Sequence, residues 1–247
     1  MNSNKRINYI INWIKDYVRR IDKNNVSLVI GVSGGIDSAL TSTLCAKTSL
    51  NTIVVSMPIR QNENQHILSL RHIKWLKDNY SNVVSYTINL DKVFNSFKDS
   101  MKEFNNDLAY ANSRSRLRMI TLYQIAQANN GLVVGTGNKV EDFGIGFYTK
   151  YGDGGVDISP IADCTKTQVW DMGSRLNIIE DIINAKPTDG LWDDSRSDED
   201  QIGLTYKEIE EAMTNPESKN YKKYLEIRKP NIHKMNPIPI CYIKENN

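Results

Sequence analysis

At 247 residues, 40% of them hydrophobic, the chain is long and apolar enough to build one sizeable α/β domain around a real core. Its 31 lysines and arginines against 29 aspartates and glutamates leave a net charge of +2, which excludes the basic bias of a dedicated nucleic-acid binder. No run approaches the roughly eighteen apolar residues of a membrane span, and Cys45, Cys164 and Cys241 are too widely spaced for a disulfide framework or a zinc site.

The N-terminus, MNSNKRINYIINWIKDYVRR, alternates charged and apolar residues instead of presenting a signal-peptide core. A soluble, cytoplasmic protein with no membrane and no nucleic-acid partner is expected. Ile7, Ile10, Ile11, Ile14 and Val18 recur at helical spacing and predict an amphipathic helix over 5–21. The run VSLVIGV then reads as a short strand buried on both faces, as in a parallel sheet. A helix is predicted from Asp37 to Lys47, with Cys45 on its buried side, then a strand over 52–57, a helix over 62–79 and a strand over 82–88. His66 and His72 share that second helix among many polar residues, and surface placement is expected for both.

A helix at 91–102 and a long helical segment from Ala109 to Gly131 lead into a fourth strand over 132–137. The stretch 138–159 is glycine-rich and with little periodicity, the kind of long loop that is usually functional or disordered. Helices follow at 165–177, 205–213 and 217–228, interrupted by the acidic stretch 189–203. The strand-helix alternation implies right-handed crossovers and an open parallel sheet of about five strands with helices on both faces. No repeat or linker divides the chain, so 1–247 is taken as one domain.

Ligands of such sheets bind at the carboxyl ends of the strands. The first strand ends in Ser33-Gly34-Gly35-Ile36-Asp37-Ser38. Two glycines there let successive N–H groups form a concave nest, the following helix adds the positive end of its dipole, and Ser33 and Ser38 add hydroxyls. The loop is thus a cradle for phosphate, but it lacks the lysine of Gly-x-x-x-x-Gly-Lys-Ser/Thr and the Gly-x-Gly-x-x-Gly pattern. Asp37 would repel phosphates unless a cation lies between them. Magnesium, which prefers one or two carboxylates plus phosphate oxygens, makes that placement sensible and calls for a second carboxylate on the same crevice.

Ser-Gly-Gly-x-Asp-Ser after a first strand resembles the loop of the N-type ATP pyrophosphatases, which split ATP between its α and β phosphates. With SRLRMITLY, VVGTGNKVEDFGIGFYTKYGDGGVDISPI, KTQV, PTDGLW and DEDQIG in the same order, the chain resembles the ammonia-dependent NAD synthetases from about residue 5 to about 235. The fold so implied is the Rossmann-like three-layer sandwich of the adenine nucleotide α-hydrolases. The resemblance implies ATP-dependent amidation of deamido-NAD by ammonia, through an acyl adenylate, with AMP and pyrophosphate released. Mg2+ is the implied cofactor, ATP the co-substrate, and a homodimer the implied assembly.

Carried over residue by residue, the resemblance implies that Gly31, Val32, Ser33, Gly34, Gly35, Ile36, Asp37 and Ser38 bind ATP, with Thr136, Lys166 and Thr188. Asp37 and Glu141 would hold the metal, and Asp37 and Lys166 would carry the catalytic charges; Asp142 reads as a solvated loop acid. Arg116, Lys150 and Asp157 would contact deamido-NAD, joined by His233 and Lys234 from the partner subunit. Of the three arginines in RSRLR, Arg114 or Arg118 is expected to be structural, because residues two apart do not share a helix face.

Two departures from the commonest family pattern stand out, one extra residue between Glu141 and FYTK and an unusual MPIRQNENQ after the second strand, where Arg60 and Gln61 have no assigned role. Trp192 reads as an anchor of the acidic stretch. No glutaminase domain is expected, since the synthetase resemblance takes up the chain and no cysteine has His and Glu companions for amide hydrolysis. GMP, asparagine and argininosuccinate synthetases and tRNA-thiolating enzymes share the first loop. The competing readings are a synthetase that amidates nicotinate mononucleotide and a nucleotide-sensing module that has lost its chemistry.

Overall fold

The computed structural model describes residues 1–21, 24–60, 63–188 and 197–243; Gln61 and Trp192 lie outside them. An N-terminal helix, α1 (Ser3–Arg20), buries the isoleucine stripe anticipated from its spacing and is capped by Asn2, whose side chain accepts from Lys5 N–H. Three strand-helix units follow: β1 (Ser27–Gly31) and α2 (Ile36–Lys47), β2 (Thr52–Ser56) and α3 (Glu63–Asn79), β3 (Val83–Thr87) and α4 (Asp91–Ser100). The long helix α5 (Asp107–Ala128), capped by Asn106, leads into β4 (Gly131–Val133).

All pairings are parallel and the strand order is β3-β2-β1-β4. Among the described residues the sheet therefore has four strands, not about five. The place of a fifth is taken by one parallel bridge between Val134 and Ile158, because the chain past β4 turns away instead of continuing as a ladder. Leu28, Ile30, Val54, Val83 and Leu132 point into a core shared with α1, α2, α3 and the later helix α6 (Lys166–Arg175). Val29, Ile53, Val55 and Val133 point the other way, onto α4 and α5. This two-sided burial explains why the strands read as continuous apolar runs.

The remaining helices are short: α7 (Glu180–Ile183), α8 (Asp198–Ile202), α9 (Tyr206–Thr214), α10 (Tyr221–Arg228) and α11 (Ile232–Met235). A third, smaller core joins α8, α9 and α10 to Val140 and Ile145 of the glycine-rich stretch, forming a cap beside the sheet's carboxyl edge.

His72 departs from its expected surface position. It is fully buried, stacks on Trp75 and meets Ser42 Oγ through Nε2 at 3.0 Å. Burial lowers its pKa from 6.5 to about 4, so the folded chain keeps the imidazole neutral where the unfolded chain would protonate it. Stability present above pH 6.5 should be lost as the pH falls toward 4, by about 3 kcal/mol. Denaturant titrations at neutral and acid pH should show a His72→Gln variant losing less over that interval by about this amount; identical losses would contradict the assignment. Cys45, as anticipated, is buried, and burial pushes its thiol up to about 12.

Candidate active site

β1 and β4 are neighbours whose crossovers leave in opposite directions, so their carboxyl ends form the switch point of the sheet. A cavity of about 300 Å³ opens there. It is lined by the whole loop from Gly31 to Ser38, by Thr136, Glu141, Lys166 and Thr188, and by residues of α5. Every residue assigned to ATP or metal from sequence thus meets at one cavity.

The loop is shaped as its glycines suggested. Gly34 has φ +94°, and a Cβ there would lie 2.5 Å from Gln65 O, so only glycine fits without displacing backbone. Ser38 Oγ accepts from Ser33 N–H at 3.2 Å and donates to Gly35 O at 2.9 Å, which folds the loop back over the start of α2. Gly35 is the N-cap and offers no side chain, so the dipole end of α2 is left open toward the cavity.

Past β4, Asn138 closes a turn by accepting from Val140 and Glu141 N–H, both at 3.0 Å. Residues Lys139–Ile145 then wind as a π-helix and stop at Gly146, in the left-handed region at φ +70°. Such wide turns are rare and take one residue more than an α-turn to close a hydrogen bond. The extra residue noted between Glu141 and FYTK falls in or beside this segment.

At the cavity floor, Lys166 Nζ donates to Asp37 Oδ2 at 2.6 Å and to Glu141 Oε1 at 2.8 Å. Lys166 is 2% exposed, although it opens α6 and would ordinarily be taken for a surface residue. Burial alone would lower its pKa, but the two carboxylates outweigh burial and hold the ammonium charged. Asp37 is raised from the usual carboxylate range by burial, an effect that Lys166 only partly offsets. Glu141 is also penalised by burial, yet Lys166, Tyr206 and Asn138 together bring it below its ordinary value. Glu141 is therefore the more firmly ionised partner of the shared ammonium, because it collects more hydrogen bonds.

Tyr206, the first residue of α9, reaches the same floor. Its hydroxyl lies 2.6 Å from Glu141 Oε1 and 3.0 Å from Asp198 Oδ2, and its ring lies 4.7 Å from Lys166 Nζ. Burial and the neighbouring carboxylates push the phenol far above its usual pKa.

Asp142 is not the solvated loop acid expected. It is half-buried on the cavity wall, with its carboxylate filling the space that a side chain at Gly137 would take. Burial, then the charges of Asp153, Glu141 and Asp37, raise its pKa well above the ordinary value. Asp153 joins it on the wall, held by Ser115 Oγ–H at 2.7 Å and Thr149 N–H at 2.9 Å. Neither acid, nor Tyr206, carries a site assignment from sequence. The adjacency of Asp142 to Glu141 was the only signal available.

The five residues assigned to deamido-NAD do not line the cavity. Arg116 is exposed on α5 and donates to Lys150 O at 3.3 Å, and Lys150 Nζ lies 5.5 Å from the Tyr151 ring. Asp157 accepts from Val133 N–H and from Tyr123 Oη–H, whose phenol is pushed up to about 12 by burial and by Asp157. His233 is exposed, and Lys234 donates to Gly146 O and Tyr148 O of its own chain. In RSRLR it is Arg118 that lines the cavity, donating to Met57 O at 3.1 Å, whereas Arg114 is buried against Phe94. Arg60, which has no role from sequence, donates to Asn95 through its guanidinium and to Asp91 through its backbone.

Residues 6–238 match the family described as NAD synthase. The NH(3)-dependent NAD(+) synthetase of Sulfurisphaera tokodaii is 37% identical over 223 residues, which cover 90% of this chain and 75% of that protein. In three dimensions the chain resembles NMN synthetase from Francisella tularensis, with a TM-score of 0.90 and 30% identity over 98% of this chain and 100% of that one. It also resembles the NH3-dependent NAD synthetase from Campylobacter jejuni, with a TM-score of 0.79 and 25% identity over 98% and 100%. The chain belongs to the NAD synthase family.

Proposed function

We propose that the protein amidates deamido-NAD with ammonia, splitting ATP to AMP and pyrophosphate through an acyl adenylate. The observation that carries this reading is the convergence of Asp37, Glu141 and Lys166 on the rim of a neutral glycine cradle, in a chain of this family.

The loop from Ser33 to Ser38 receives the β and γ phosphates on backbone N–H groups and the α2 dipole. Because the cradle carries no cation, it also lets pyrophosphate leave. The substrate carboxylate oxygen attacks the α phosphorus as the α–β bond breaks. Ammonia then attacks the acyl carbon and AMP departs. Little covalent work falls to the protein, which has to align two anions and neutralise charge. Lys166 is suited to that task as a desolvated point charge, and it reaches the phosphates by leaving the two carboxylates.

Asp37 and Glu141 already close on one cation at hydrogen-bond distance, and both are hard oxygen donors, so the pair fits Mg2+. These two side chains would hold it, and when bound it supplies Lewis-acid neutralisation of the phosphate oxygens. The same reading makes the molecule a cytoplasmic homodimer. Its support is the family and a C-terminal segment whose Ile238, Ile240, Tyr242 and Ile243 are all exposed. No helix among the described residues is long and apolar enough to cross a membrane.

A second reading, amidation of nicotinate mononucleotide, is favoured by the close match in shape and length to the Francisella NMN synthetase. Parallel assays with ATP, Mg2+ and ammonium decide between the two. Deamido-NAD should be consumed with formation of NAD; consumption of the mononucleotide alone would establish the second reading instead.

A further inference from the structure

Glu141 and Tyr206 are 65 residues apart in the chain, and the contact between them joins the glycine-rich stretch to the helical cap. The Tyr206 ring has no freedom to follow a moving partner. It is 1% exposed, packs edge-on against Trp170 at 5.8 Å and sits in the small core with Val140 and Ile145, which flank Glu141. Its backbone N–H is fixed by Glu199 Oε1 at 2.9 Å, at the start of a helix capped by Thr205. A phenol has one hydrogen, and the 2.6 Å contact to Glu141 takes it in preference to the 3.0 Å contact to Asp198.

We propose that Tyr206 is a positioning residue for the metal carboxylate: its hydroxyl, anchored in the cap, holds Glu141 in the orientation in which it faces Asp37 across the cation position. The assignment rests on the magnesium reading above. When Lys166 leaves the carboxylates, Tyr206 is the partner that holds Glu141 from the cap side, while Asn138 spends its Oδ1 on the backbone of the turn and donates from Nδ2 to Asp37 at 3.0 Å. The Lys166 ammonium over the Tyr206 ring lets the same residue steady both charges of the pair.

The test is Mn2+ binding to the full chain, read by electron paramagnetic resonance in the presence of an ATP analogue with a methylene α–β bridge. Hydrogen-bond partners of metal ligands are typically worth about 10–100-fold in metal affinity. Tyr206→Phe should weaken Mn2+ by about 10–100-fold while leaving the melting temperature and the KM for the nicotinate nucleotide close to wild type. Trp170→Phe, which disturbs the packing of Tyr206 without touching its hydroxyl, should lower the melting temperature and leave Mn2+ affinity in place. Equal weakening by Trp170→Phe would show that packing alone matters and overturn the assignment. Wild-type Mn2+ affinity in Tyr206→Phe, with affinity lost in Glu141→Gln, would overturn the role of Tyr206 and leave the magnesium reading standing. Wild-type affinity in Glu141→Gln would overturn both.

Discussion

Replacing Asp37 with asparagine is expected to leave the protein folded, with stability equal to or above wild type, while cutting turnover by about 10²–10³-fold, the usual scale for removing one preorganised electrostatic group. The two effects have opposite signs because the site is built for charge. In the free protein two buried carboxylates share one ammonium, and the burial of Asp37 costs more than Lys166 returns, as its raised pKa records. Asparagine removes that buried charge and leaves Lys166 paired with Glu141; its single oxygen can accept from Asn138 Nδ2 or from Lys166 Nζ, which bond Asp37 at 3.0 Å and 2.6 Å, so one hydrogen bond is given up against the relief of burial. Chemical denaturation together with steady-state kinetics checks both halves. An active Asp37→Asn enzyme would remove Asp37 from the catalytic set.

Lys166→Met should behave differently, losing both stability and activity. Methionine leaves Asp37 and Glu141 facing each other without a cation, and stripping one partner from a buried ion pair typically costs about 3–5 kcal/mol. Adding Asp37→Asn to Lys166→Met should recover part of that loss, since only one carboxylate then lacks its partner. The double-mutant cycle should therefore show a coupling energy well outside the few tenths of a kcal/mol seen for independent sites. Additive effects would mean that the triad seen around Lys166 Nζ does not persist in solution.

The parallel α/β architecture was legible in the sequence because strands buried on both faces are continuous apolar runs, and VSLVIGV and TIVVSM have no other ready explanation. The crevice was legible because glycine punctuates two such strands at their carboxyl ends. Asp37 and Glu141 followed from the chemistry of phosphate and metal together with the family resemblance, and the structure brings both to one cation.

What escaped was set by contacts distant in sequence. Burial of His72 depends on the side of α3 that meets Ser42 of α2, and the polar residues around it hid that side. Asp142 faces the cavity because the turn winds as a π-helix, which has no hydrophobic period to reveal it. Tyr206 opens a short helix 65 residues beyond Glu141, and nothing local in the sequence connects the two. Among the described residues the sheet stops at four strands because the backbone after Val134 makes one bridge to Ile158 and then turns toward the cavity instead of extending a ladder.

If the neutral glycine cradle serves cleavage of ATP between its α and β phosphates by an attacking carboxylate, the oxygen that forms the new bond must come from the nicotinate. Deamido-NAD labelled with ¹⁸O in its nicotinate carboxylate, turned over with ATP, Mg2+ and ammonia, tests this in one measurement. One labelled oxygen should appear in the phosphate of AMP, with unlabelled pyrophosphate as the second product. Formation of ADP, or of AMP free of label, would contradict the account.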